Sequence, residues 1–122
     1  MKLTNAEIYQ MAVSLQTYFN DGATTLPVKV NFYIQKNKTA LYSLATEIEE
    51  ARMAILNKYG KLNSETNEYE FDEANSQLAS TELQDLYNLE QDVKIYMVDI
   101  DNFGDNLQLT QKQMETLMFM IK

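Results

Sequence analysis

Val28-Lys29-Val30-Asn31-Phe32-Tyr33-Ile34 decides the fold, because two periodicities compete within it. Alternation and the abundance of β-branched and aromatic side chains favour a strand. Val30, Ile34, Leu41, Leu44, Ile48, Ala51 and Ile55, however, form a single stripe at helical spacing that starts inside the same stretch. A strand would break that stripe, so the spacing predicts helix throughout. Pro27 suits the first helical position, where its missing amide proton costs no bond, and Gly60 ends the run. A helix over 27–59 is about 50 Å long at 1.5 Å per residue, more than a domain of this size needs. Ile34, Leu41, Ile48 and Ile55 recur every seven residues, with Leu44 and Ala51 three residues after the second and third, so the seam resembles a short coiled coil interrupted at Asn37. Surplus length and seam together predict that part of the helix projects or pairs with a second copy as a homodimer.

Upstream, Thr4-Asn5-Ala6-Glu7 fits a capping box and predicts a helix from Asn5. Ile8, Met11, Ala12, Leu15 and Phe19 form its apolar stripe, Asn20-Asp21-Gly22 ends it, and Ala23–Leu26 is extended. Downstream, residues 61–70 are polar and turn-forming, a candidate mobile loop whose one strand seed is Tyr69-Glu70-Phe71. Asp72 can cap a third helix to about Glu90 with Leu78, Leu83, Leu86 and Leu89 on its apolar face. Val93, Ile95 and Met97 alternate with Lys94 and Tyr96, so 93–99 is expected as a strand paired with Tyr69–Phe71. Thr110-Gln111-Lys112-Gln113 is a second capping box and opens a terminal helix with Met114, Leu117, Met118 and Ile121. The predicted fold class is mainly α (α+β): one domain over 1–122, with a long central helix packed with an N-terminal and two C-terminal helices, plus a minor two-stranded β element.

Composition narrows the chemistry. The 122 residues contain no Cys and no His, which removes disulfides, thiol nucleophiles, the usual general base and the commonest metal ligands. With 45% hydrophobic and 23% charged residues the chain suits a single globular domain. No stretch approaches the ~18–20 apolar residues of a membrane span, and Met-Lys-Leu-Thr-Asn-Ala-Glu turns polar before a signal core can form, so a cytoplasmic protein is expected. The net charge is −8, unevenly spread: residues 1–45 carry +2, and residues 65–105 hold 12 carboxylates against one base, Lys94. Such a segment repels phosphate and attracts basic surfaces, which argues against direct nucleic-acid contact and for a protein partner with a basic surface. Glu65, Glu68, Glu70, Asp72 and Glu73 are the candidate partner-binding carboxylates.

Other constellations fare less well. Asp99-Ile100-Asp101-Asn102-Phe103-Gly104-Asp105 begins like a calcium loop but has Phe103 at position 5 and Thr110 where a bidentate Glu is required. Glu47, Glu49 and Glu50 lack the His that a di-iron bundle needs. No metal, cofactor or catalytic residue is therefore expected. Arg52, the only arginine, should pair with Glu49 one turn away. Lys29, Lys36 and Lys38 interleave with Phe32 and Tyr33 as a small basic-aromatic patch. Three lysines are too few to hold nucleic acid, and they are expected to pair with the acidic segment, within the monomer or between copies. Leu117-Met118-Phe119-Met120-Ile121 is apolar all round a helix, so either the terminus inserts between other elements or Phe119 and Met120 form an interface.

Leu26-Pro27-Val28-Lys29-Val30 leading to Lys36-Asn37, then Glu50-Ala51-Arg52, Asn57-Lys58-Tyr59-Gly60 and the closing Leu117–Ile121 run resemble a family of small uncharacterised proteins of temperate phages of Gram-positive bacteria. The similarity covers most of the chain in order; residues 61–75 fit it least. It implies phage origin and a helical fold with a long central helix, and brings no activity or cofactor. The expected function is a non-enzymatic protein-binding module that inhibits or modulates a host protein, such as a defence nuclease, through an acidic surface. The alternative is a morphogenesis accessory or a tail or capsid assembly chaperone. A sponge for a signalling nucleotide is disfavoured by the lack of Gly-rich loops and the single arginine.

Overall fold

A computed structural model of the chain describes residues 1–20, 26–104 and 108–122. The expected helix end at Asp21-Gly22, the extended Ala23–Thr25 and Asp105 of the calcium-like loop lie outside the described residues.

Strand β1 (Lys2–Thr4) runs directly into helix α1 (Asn5–Tyr18). The capping box forms as expected: Thr4 Oγ1 accepts from the Glu7 amide at 3.1 Å, and Glu7 Oε1 accepts from the Thr4 amide at 3.0 Å. Helix α2 (Val28–Tyr59) is continuous for 32 residues, so the helical stripe overrides local β propensity. Pro27 sits one position earlier than expected, as the extended N-cap, and its carbonyl accepts the first helical bond from Asn31 at 3.0 Å. Gly60 closes the helix by donating to the Leu56 carbonyl at 2.8 Å.

The heptad seam is internal. Ile34, Leu41 and Ile48 are buried with Ile8, Ala12 and Leu15 of α1 in the main core, and Ile55 is half-buried. The seam therefore gives no surface to a second copy. Burial in α2 stops at Ile48, and beyond it α3 (Glu73–Asn88) covers the helix on one side.

Both small sheets differ from the expected pairing. Residues 61–70 form a hairpin, not a loop: β2 (Lys61–Asn63) pairs antiparallel with β3 (Glu68–Glu70), placing Lys61 opposite Glu70, Leu62 opposite Tyr69 and Asn63 opposite Glu68. Asn67, in the left-handed region at φ 59°, makes the turn, and its amide donates to Asn63 O at 2.7 Å. A short local turn closes at lower entropic cost than a return from residue 93, so Tyr69 pairs with Leu62 and not with the later segment. The second sheet joins β1 to β4 (Glu90–Asp92), with Leu3 opposite Gln91. Residues 93–97 take no regular secondary structure, and Val98 makes a parallel bridge with Ile121.

Asp72 caps α3 as expected, accepting from the Asn75 amide at 2.8 Å. The buried face is rotated from the expected one. Ala79 is buried and Leu83 and Leu86 half-buried, whereas Leu78 and Leu89 are exposed. Helix α4 (Gln111–Leu117) opens with the second capping box and tightens into a 3₁₀ turn over Met118–Met120.

Two buried amides tie distant elements together. Asn5 donates from Nδ2 to Leu86 O at 2.8 Å and accepts from Gln91 Nε2 at 2.7 Å, locking α1 to the end of α3 and to β4. Asn37, fully buried in α2, donates to Tyr96 O at 3.0 Å and accepts from the Tyr96 amide at 2.8 Å. The interruption of the heptad seam is thus the position that satisfies the backbone of Tyr96, in a segment outside any strand.

Candidate functional site

The two ends of α2 carry opposite charge. At its C-terminal end the β2–β3 hairpin and the start of α3 display Glu65, Glu68, Glu70, Asp72 and Glu73, all exposed. These are the five carboxylates singled out from the sequence, and each is exposed to solvent. The hairpin is fastened to α2 where Tyr69 Oη donates to Asn57 Oδ1, and α3 is fastened to α2 where Lys58 reaches Glu82 at 3.1 Å. Hydrogen bonds to Tyr59 and Glu82, with the Glu82 charge, hold Lys58 above its ordinary pKa, so it stays cationic. Two of the five carboxylates are partly committed. Asp72 is spent on the α3 cap, and Glu70 Oε1 accepts from Asn63 Nδ2 at 2.8 Å. Lys61 lies across the ladder from Glu70, and Leu62 is exposed beside them.

Gly60 sets how closely the hairpin approaches. A Cβ there would lie 2.7 Å from Phe71 Cε1 and 3.1 Å from Leu56 O, although its φ of −120° suits any residue. Gly60→Ala should displace the Phe71 ring and cost about 1–2 kcal/mol in urea denaturation, since overpacking outweighs the lower chain entropy of alanine.

At the other end of α2 the basic-aromatic patch is larger than the sequence suggested. Lys36 Nζ lies 5.3 Å from the Phe32 ring centre and 4.8 Å from that of Tyr96, Lys94 lies 5.1 Å from Tyr96, and Lys29 5.8 Å from Tyr33. Phe32, Tyr33 and Tyr96 form a ladder with ring centres 6.3 and 6.1 Å apart. Lys94 and Tyr96 escape a sequence reading because they arrive from some sixty residues away, held by Asn37. The available signal was that Lys94 is the one base in the acidic segment. The expected pairing of Lys29, Lys36 and Lys38 with that segment inside the monomer is not made among the described residues. Among the described residues none of these lysines, nor Lys94, reaches a carboxylate, and Lys38 donates to Phe19 O at 3.1 Å.

Between α1 and α2 lies an open groove of about 430 Å³, with Tyr9, Val13, Tyr42 and Ala45 on its walls and Glu49 and Glu50 at one end. Its two threonine hydroxyls bond back to their own helices: Thr17 donates to Val13 O at 2.8 Å and Thr46 to Tyr42 O at 3.0 Å. Arg52 donates to Glu49 at 2.6 and 2.9 Å, the intrahelical pair expected. That hydrogen bond, with the Arg52 charge, holds the Glu49 carboxyl below its ordinary pKa against the opposing effect of burial.

The closing apolar run inserts into the fold. Met120 and Leu117 are fully buried and Phe119 half-buried, while Met118 is 62% exposed. Met120 therefore leaves the set of partner-facing side chains: its sulfur sits 3.4 Å from Asn37 Nδ2, inside the core. Among the described residues no three carboxylates converge as metal ligands, and no helix is long and apolar enough to cross a membrane. No protein-family model matches the chain, and no curated protein or solved structure matches it significantly.

Proposed function

We propose that this chain is a non-enzymatic protein-binding module whose acidic end docks on a basic surface of a partner protein. The observation that carries the proposal is the exposure of Glu65, Glu68, Glu70, Asp72 and Glu73 on one hairpin and the helix start that follows it, anchored to the end of α2. A fixed hairpin presents charge at low entropic cost, and exposed carboxylates steer a cationic partner over a distance set by salt. Exposed Leu62 supplies an apolar contact beside the charges, as an interface needs for residence time. In a phage, as the resemblance implies, such a module serves to inhibit or modulate a host protein, a nuclease with a basic nucleic-acid channel being a suitable target.

The test uses paired baits against host lysate. Asp72 stays unchanged because it caps α3, so the acidic variant is Glu65→Lys, Glu68→Lys, Glu70→Lys and Glu73→Lys; the control is Lys29→Glu, Lys36→Glu and Lys94→Glu. A protein captured by the wild type, lost by the acidic variant and retained by the control is the expected result. Loss with the lysine set and retention with the acidic set would overturn the proposal.

A further inference from the structure

We infer that the basic-aromatic end of one copy receives the acidic hairpin end of another, so that the chain associates head to tail. The inference goes beyond the proposed function and does not rest on it, although both use the acidic end.

The first ground is unpaired charge. Lys2, Arg52, Lys58 and Lys112 each meet a carboxylate within 4 Å; among the described residues Lys29, Lys36, Lys38, Lys61, Lys94 and Lys122 meet none, and of these Lys29, Lys36 and Lys94 gather around three aromatic rings. Lysines in a chain of net charge −8 have carboxylates to spare, yet this patch keeps its charge free.

The second ground is the arrangement along α2. Lys29 occupies the first turn of α2, which contains no acidic residue, so its charge adds to the partial positive charge of the helix N-terminus. The placement is unfavourable for the helix, and a counter-charge from outside would relieve it. The acidic hairpin follows the C-terminal end of the same helix, about 48 Å away. One chain thus offers both halves of a complementary contact, too far apart to meet within a monomer.

The third ground is the apolar content of the two ends. Val28 is 86% and Phe32 56% exposed beside the lysines, and Leu62 is 53% exposed beside the carboxylates. Each end therefore combines charge with an apolar anchor. A contact between unlike patches is heterologous, so it propagates as a chain or closes as a ring. It also competes with any basic partner for the acidic end.

Sedimentation velocity of the purified protein tests this without knowledge of a partner. In ~10 mM salt, where charges act over about 30 Å, the average mass should rise with protein concentration above that of one chain; in ~1 M salt, where they act over about 3 Å, it should return to one chain. The Lys29→Glu, Lys36→Glu, Lys94→Glu variant and the Glu65→Lys, Glu68→Lys, Glu70→Lys, Glu73→Lys variant should each lose that rise, with helical circular dichroism unchanged. An equimolar mixture of the two should regain it. A wild type that stays monomeric in low salt overturns the inference, as does association that survives either set of reversals or is absent from the mixture. Failure here leaves the captured-partner test standing, and failure of that test leaves this one standing.

Discussion

Asn37→Leu should destabilise the protein by about 2–5 kcal/mol, although leucine shares the branched shape of asparagine and suits a buried helical position. The side chain is fully buried and serves both the amide and the carbonyl of Tyr96, at 2.8 and 3.0 Å. Leucine leaves both groups unpaired, and each buried unsatisfied polar group costs about 1–3 kcal/mol. Against a total stability of about 5–15 kcal/mol that is a large fraction. Urea denaturation measures the loss. The same substitution releases Tyr96, so the contacts of Lys36 and Lys94 with that ring should weaken, visible as changed tyrosine ring shifts in proton NMR. A cost below about 1 kcal/mol would mean that the Tyr96 backbone finds other partners.

Met120→Ala should cost about 2–5 kcal/mol, and Met118→Ala close to nothing. Met120 is fully exposed to the core and none of it to solvent, so truncation removes buried methylenes and leaves a cavity beside Asn37 and the residues around it. Met118, 62% exposed two positions earlier, loses little on truncation. The pair separates insertion of the terminus from an interface role. An interface methionine would change partner binding with stability intact, whereas Met120→Ala should shift the denaturation midpoint and leave the affinity of the folded protein unchanged.

The sequence made the helices legible because each rests on local physics. Capping boxes at Thr4 and Thr110 and the cap at Asp72 mark helix starts through side chains that satisfy neighbouring amides. The α2 stripe outweighed seven residues of strand-like alternation because helical spacing persisted from Val30 to Ile55. The small sheets were not legible. Strands of three residues carry almost no periodic signal, and β1 meets β4 across some ninety residues of chain. The heptad seam suggested a second copy, but the spacing of Ile34, Leu41 and Ile48 says only that one face is buried; α1 covers it. The acidic end was visible as a run of carboxylates contiguous in sequence. The basic-aromatic end was only half visible, since Lys94 and Tyr96 join it through a buried hydrogen bond that no spacing rule reveals.

Binding through the acidic end has a kinetic signature. Charges steer encounter over the screening length, whereas the short-range contacts that hold a formed complex depend less on salt. The decisive measurement is therefore the association rate of the captured partner with the wild type and with the Glu65→Lys, Glu68→Lys, Glu70→Lys, Glu73→Lys variant, across salt from ~20 mM to ~500 mM. The expected result is a wild-type association rate that falls by about tenfold or more over that range, a dissociation rate that changes much less, and a variant whose association is slow at every salt concentration. An association rate indifferent to salt, or equal in wild type and variant, would show that the acidic end is a solvated surface and that the contact lies elsewhere on the protein.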